Sequence, residues 1–242
     1  MYQCNSRVRY SETDELGNIR LTALVNYLQD CSTFHSMDAG LPISRLKEMH
    51  RTWLLSYWDI YIDRMPRLGE QILIGTSPYG FRGVLASRNF WIRTESGEDL
   101  LRADSVWFCF DTERRRPVKA PEEMILPFGV QENLLKLPVS SRKIDVPADL
   151  IAAEPVLIQP HHIDSNHHVN NAQYIEIADE ALTSAVKGSK RFTSGRVRVE
   201  YRTAAVLGDT MIPLYGSTAD GQGVIVSLQN PGGEVYCNVE FR

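Results

Sequence analysis

Residues 161–171 read His-His-Ile-Asp-Ser-Asn-His-His-Val-Asn-Asn, which gathers a carboxylate, several amides and four of the protein's six histidines. No other stretch concentrates such groups. Asp164, Asn166 and His168 alternate, so an extended backbone would send their side chains to one side and let them converge on a small volume. An acid, an amide and an imidazole would then face one substrate, with proton transfer as the chemistry they suit.

The elements that must hold these groups follow at once. Tyr174, Ile177, Ala178, Ala181, Leu182 and Ala185 recur at the three-and-four spacing of an apolar helix face, so a helix is expected to start just after the cluster. Its first-turn N–H groups would lack partners within the helix and carry the positive end of its dipole, which suits an oxyanion. Asn170 and Asn171 are expected to cap that helix or tie down the turn. Tyr174, one turn in, is expected to pack in the core, and His161, His162 and His167 to be surface or loop residues. A metal reading stays open beside this one, because His161, His162, His167, His168 and Asp164 are all common ligand types. Against it, neighbouring histidines in a strand point oppositely, and the spacing matches no known zinc pattern.

A chain of 242 residues with 43% hydrophobic content has room for one large or two small domains with proper cores. Cys4, Cys31, Cys109 and Cys237 show no C-x-x-C spacing, so free thiols in a reducing compartment are expected, and with them a cytoplasmic location. Strand-like alternation begins almost at Met1, and no apolar run is long enough to span a membrane, so neither a targeting segment nor a membrane span is expected. The formal charge of −4 speaks against nucleic acid as a principal partner.

An internal repeat organises the rest. Shifting the chain by 150 positions lays Asp14-Glu15-Leu16-Gly17-Asn18-Ile19 over Asp164-Ser165-Asn166-His167-His168-Val169, and both segments lead into a helix. In the first copy Leu24, Tyr27, Leu28, Cys31 and Phe34 form the apolar face, Thr22 is the expected cap, and Gly40-Leu41-Pro42 the expected end. Leu16 and Asn18 stand where the second copy has Asn166 and His168, so the first copy has lost the imidazole and Asp14 is expected to be structural, capping its helix. Farther on the offset becomes 139, and the surplus is expected in a loop over residues 40–51. Strand-like runs rich in β-branched and aromatic residues follow each helix, at 52–62, 71–76, 84–93 and 101–110, then at 196–201, 210–216, 224–228 and 234–241. Ser96-Gly97 and Asp220-Gly221 supply hairpin turns. Residues 111–155 hold six of the twelve prolines, which predicts a connector draped over the surface, with domains at 1–130 and 131–242.

A long helix wrapped by an antiparallel sheet, in two copies, is an α+β tandem double hotdog. The chain resembles the acyl-acyl carrier protein thioesterases of plants and bacteria over essentially its whole length. Their D-x-N-x-H-V-N-N-x-x-Y signature is present as Asp164, Asn166, His168, Val169, Asn170, Asn171 and Tyr174. Their opening pattern appears as Arg9-Tyr10, Asp14 and Asn26 to Gln29, their P-x-x-G-[DE] as Pro66 to Glu70, and a further segment as Arg115, Arg116 and Pro121-Glu122-Glu123. The resemblance implies hydrolysis of the thioester between a fatty acyl chain and acyl carrier protein phosphopantetheine, with no metal or organic cofactor. It implies Asp164, Asn166 and His168 as catalytic positions, chemistry in the second hotdog and much of the acyl pocket in the first. The motif leaves open whether the carboxylate attacks directly or water attacks under base assistance; in the second case Asp164 or His168 would activate the water. One departure stands out: plant members carry a further catalytic glutamate in E-Y-R-R-E-C, where this chain has Glu200-Tyr201-Arg202-Thr203-Ala204-Ala205. Either Glu176 or Glu180 substitutes for the side chain missing at Ala204, or that group is dispensable, or the chain is weak or inactive.

Related readings remain beside the resemblance: an acyl-CoA thioesterase or hydratase of the same fold, and a non-catalytic acyl-binding module. Hotdog hydratases show D-x-N-P-x-H, one residue longer than the interval from Asp164 to His168. Arg114-Arg115-Arg116 with Lys119 could meet an acidic carrier protein, and Lys187, Lys190 and Arg191 form a second candidate patch. Trp53, Trp58, Trp91 and Trp107 are expected mainly in the core. A monomer or a homodimer is compatible with paired hotdogs in one chain.

Overall fold

Period-two alternation builds the first strand: in β1 (Tyr2–Arg7) every second residue is exposed, as a strand with one face against a core requires. It belongs to the first of two units, Met1–Val139 and Ser140–Arg242, in a computed structural model that describes residues 1–138, 140–186, 188 and 190–242. Lys187, named above in the second basic patch, lies outside the described residues.

In the first unit, α1 (Leu21–Asp38) is followed by β2 (Arg51–Ile62), β3 (Gln71–Arg82), β4 (Leu85–Thr94) and β5 (Asp99–Asp111). These pair antiparallel with β1 in the order β1-β3-β4-β5-β2, and α1 packs on β3 and β1. Leu21, Leu24, Val25, Leu28 and Cys31 are buried along one helix face, each leucine stabilising the fold by about 2 kcal/mol. Phe34, expected on that face, is 47% exposed; the buried stripe runs on through Ser32 and His35 instead. Thr22 does not cap. The helix begins earlier, after Arg20, with no side-chain cap, because Leu21 is already buried in the core. Its end is as expected. Gly40 takes φ +78°, and the Leu41 N–H donates to Ser36 O at 2.8 Å, closing a left-handed helix stop that only glycine enters without strain.

Two loop expectations are corrected. Residues 40–51 contain a short helix, α2 (Ile43–Glu48). The start of the connector is packed rather than draped: after β6 (Arg116–Pro117), Ala120, Met124 and Phe128 are buried against Leu41 and Cys109. Pro121 and Pro127 stand at the starts of the 3-10 turns Glu122–Met124 and Leu126–Phe128, where a missing N–H costs nothing. Prolines there shape turns that bury their apolar neighbours.

The second unit repeats the plan. Short β7 (Ile151–Ala152) and β8 (Val156–Leu157) pair with β10, α3 (Asn171–Ala185) follows, and β9 (Gly195–Tyr201), β10 (Thr210–Ser217), β11 (Val224–Gln229) and β12 (Val235–Phe241) run antiparallel in the order β9-β12-β11-β10. α3 lies against β10, β11 and β12. Each unit is therefore a helix laid on one face of an antiparallel sheet. Close approach marks one sheet position: Trp91 crosses opposite Gly75, where an added Cβ would stand 2.0 Å from the indole.

Candidate active site

The segment carrying Asp164, Asn166 and His168 is a closed loop, not an extended strand. A 3-10 turn at Pro160–His162 leads into it, and an isolated bridge between Ile163 and Val169 shuts its ends. The Asp164 N–H donates to His168 O at 2.8 Å, and the His167 N–H to Asp164 O at 3.1 Å. His167 sits at φ +63°, a left-handed conformation uncommon for any residue but glycine. The carboxylate explains the shape. Asp164 Oδ1 accepts the backbone N–H of Asn166 at 2.8 Å and that of His168 at 3.4 Å, a local alternative to strand pairing that aspartate offers readily. The structure thus brings Asp164 to the backbones of the other two, while the Asn166 and His168 side chains are exposed.

The first copy has the same loop. Thr13 bridges Ile19, the Asp14 N–H donates to Asn18 O at 2.8 Å, and Asp14 Oδ1 accepts from Leu16 N–H at 3.0 Å and Asn18 N–H at 2.8 Å. Gly17 takes the left-handed position at φ +77°. Asp14 therefore closes a loop instead of capping α1. The backbone of the repeat survives, and the side chains it displays differ.

At the head of α3 two of the first-turn N–H groups have partners. Asn170 caps the helix, accepting from Ala172 N–H at 2.9 Å through its side chain and from Gln173 N–H at 2.9 Å through its carbonyl. The capping role expected of Asn170 thus engages two of the first-turn donors, those of Ala172 and Gln173. Tyr174 is in the core, 3% exposed, with its ring 5.7 Å from Tyr201 and its hydroxyl accepting the Ala205 N–H at 2.8 Å. His162 was expected at the surface and is buried. Its Nδ1 accepts the Gln159 N–H at 3.0 Å, which assigns its proton to Nε2. Burial first, and then the neighbouring His161, hold its pKa below the usual imidazole value. His161 and His167 are exposed. Among the described residues, no group of three or more His, Cys, Asp or Glu side chains is placed to hold a metal ion.

The position of the absent glutamate is well defined. Ala205 O accepts the Val169 N–H at 2.9 Å, so exposed Ala204 adjoins a residue tied directly to the neighbour of His168. Neither suggested substitute is free. Arg191 binds Glu176 at 2.9 Å and Glu180 at 3.0 Å. Asp179, also beside Arg191, accepts the Phe192 N–H and is pushed up to about 6 by burial. These ion pairs also remove Arg191 from the second basic patch. Tyr201, whose hydroxyl donates to Asn171 O at 2.8 Å, and the anchoring role of Ala205 were missed. The match of Glu200-Tyr201-Arg202 to the family segment was the sequence signal for this stretch, and Ala204-Ala205 depart from it.

The first unit contains a cavity of about 320 Å³ between β1 and α1, walled by Cys4, Cys31, Phe34 and Ile74 and, at its polar end, by Arg9, Glu12 and Asp30. The Tyr27 hydroxyl donates to Glu12 there at 2.5 Å, and burial with this contact pushes its pKa up to about 12. On the turn between β5 and β6 and just beyond it, Arg114, Arg115, Arg116 and Lys119 are all exposed.

Comparison with known proteins meets this geometry. Residues 1–128 match the acyl-ACP thioesterase N-terminal domain and residues 155–240 the C-terminal domain. Over 219 residues the chain is 30% identical to a chloroplastic palmitoyl-acyl carrier protein thioesterase of Gossypium hirsutum, covering 84% of this chain and 51% of that protein. It spans about two fifths to two thirds of the length of the curated relatives it matches. The structure of an acyl-ACP thioesterase from Bacteroides thetaiotaomicron superposes with a TM-score of 0.84 at 24% identity, covering 98% of this chain and 95% of that one. A 12:0-ACP thioesterase from Umbellularia californica gives 0.84 at 16% identity, covering 99% and 95%. These two likenesses establish the double hotdog fold. With both domain families matched in order along it, the chain belongs to the acyl-acyl carrier protein thioesterase family.

Proposed function

We propose that the protein hydrolyses the thioester of fatty acyl-acyl carrier protein, releasing fatty acid and carrier protein with its free thiol. The observation that carries this reading is the loop over residues 163–169, which presents an imidazole and an amide on a backbone held shut by a carboxylate. His168 is the general base: it takes a proton from water, the hydroxide attacks the thioester carbon, and the imidazolium returns the proton to the departing thiolate. Such base assistance contributes about 10² to 10⁴ in rate. Asn166 donates its amide N–H to the carbonyl oxygen as negative charge develops there, a donor of a type worth roughly 3 kcal/mol. Asp164 positions both by holding their backbones; its Oδ1 is engaged with two N–H groups, which favours His168 over Asp164 as the base. The first unit, with Asn18 where the imidazole would be, takes the acyl chain.

The exposed cations Arg114, Arg115, Arg116 and Lys119 support an acidic carrier protein as the partner. We place the protein in the cytoplasm, a location that four free cysteines support; no described helix is long and apolar enough to cross a membrane. The test is released thiol from a panel of acyl carrier protein and acyl-CoA thioesters, with His168→Ala alongside. Carrier-protein turnover lost in the variant is the expected result. Turnover confined to acyl-CoA would move the substrate class, and binding without turnover would make the chain a non-catalytic acyl-binding module.

A further inference from the structure

Two of the four cysteines meet at one place. Cys4 on β1 is the register partner of Ile74 on β3, and Cys31 Sγ on α1 donates to the carbonyl of that same Ile74 at 3.7 Å. Strand and helix thus bring both cysteines to one residue. Both also line the cavity of the first unit. Cys4 is partly exposed and Cys31 buried, so a small reagent entering the cavity meets Cys4 with Cys31 behind it. Cys109 and Cys237 are fully buried elsewhere, Cys109 among Leu41, Ala120, Met124 and Phe128.

We propose that Cys4 and Cys31 form an oxidant-sensitive dithiol, closed by hydroperoxides to a disulfide that pins β1 to α1 across the cavity. The Cys4 thiolate attacks a peroxide oxygen, the O–O bond breaks, and hydroxide or alkoxide leaves with Cys4 as the sulfenic acid. The Cys31 sulfur then attacks the Cys4 sulfur, the S–O bond breaks, and water leaves with the Cys31 proton. Two thiols and one hydrogen peroxide thereby give one disulfide and two waters. A thiol such as dithiothreitol reverses the step by exchange. Burial holds both thiols above the ordinary range. Closure is therefore slow at neutral pH and accelerates as pH rises.

The experiment treats the reduced protein with hydrogen peroxide, then counts free thiols and maps peptides by mass spectrometry. Expected are loss of two thiols, a Cys4–Cys31 cross-linked peptide, recovery with dithiothreitol, and a Tm raised by several degrees, since the bond closes a loop of the chain. Cys4→Ser, at a partly exposed position, should abolish the cross-link and leave Cys31 as a thiol. Oxidation of Cys4 onward to the sulfinic acid with Cys31 still free, or a disulfide formed with Cys109 or Cys237, would overturn the proposal. These readouts do not depend on thioester turnover, so they stand or fall apart from the function proposed above.

Discussion

Replacing Asp164 separates two roles that its position in the family signature leaves merged. The carboxylate accepts one N–H at 2.8 Å and a second at 3.4 Å; hydrogen bonds to a charged acceptor contribute about 1.5 to 3 kcal/mol, and the longer one less. Asp164→Ala should thus loosen the loop by about 2 kcal/mol, which lowers its closed-to-open ratio about 30-fold. Asp164→Asn keeps an acceptor oxygen at Oδ1 and loses the charge, so about 1 kcal/mol and roughly a 5-fold fall are expected. The assay is kcat/KM for acyl carrier protein thioester hydrolysis, with thermal melts to confirm folding. Asp14→Ala removes the matching clamp in the first copy and serves as a control, lowering Tm without an equivalent loss of turnover. A fall of about 10² or more in folded Asp164→Asn, equal to that in Asp164→Ala, would refute the positioning role and make the carboxylate the base.

Three other outcomes follow from the geometry. Ala204→Glu puts a carboxylate one residue from Ala205, which holds Val169, and should raise kcat about 10-fold by supporting the His168 imidazolium; unchanged turnover in a folded variant would show that the position is dispensable. Reversing Arg115 and Arg116 to Glu should raise KM for acyl carrier protein with little change in kcat and weaken the salt dependence, and an unaltered KM would exclude this hairpin as the docking surface. His35 is 8% exposed and held down to about 4 by burial and Arg88, from 6.5, so the folded state binds fewer protons across that window and His35 costs stability as pH falls through it. The cost reaches about 3 kcal/mol, and it is opposed by Asp104 and Asp179, each raised to about 6 by burial, which favour the folded state as pH falls from 6 toward 4. His35→Gln, which keeps an acceptor for Arg88, should therefore gain on the wild type in denaturant melts between pH 6.5 and pH 4; a pH-independent difference would contradict the sign.

The amino-acid sequence by itself determined what depends on short-range pattern. β-branched runs with turn residues between them marked the strands, the glycine at 40 marked the end of α1, and Asn170 was recognisable as a cap because a cap bonds within its own first turn. The repeat at offset 150 was equally legible, and it extends to the hydrogen bonds of both loops. Alternation of Asp164, Asn166 and His168 did not distinguish an extended strand from a closed loop, since both accept the same residue types and the choice lay in where one carboxylate turned.

Tertiary structure alone decided the rest. His162 is buried, and Arg191 pairs with Glu176 and Glu180 of α3, through contacts that no spacing records. Ala120, Met124 and Phe128 found a core because Leu41, distant in sequence, and Cys109 left an apolar surface for them. Cys4 and Cys31 meet only because β1 pairs with β3 while α1 crosses the same strand. Local propensity sets each element, but which side chains share a volume is settled by contacts across the chain, where the energy of burial is gained.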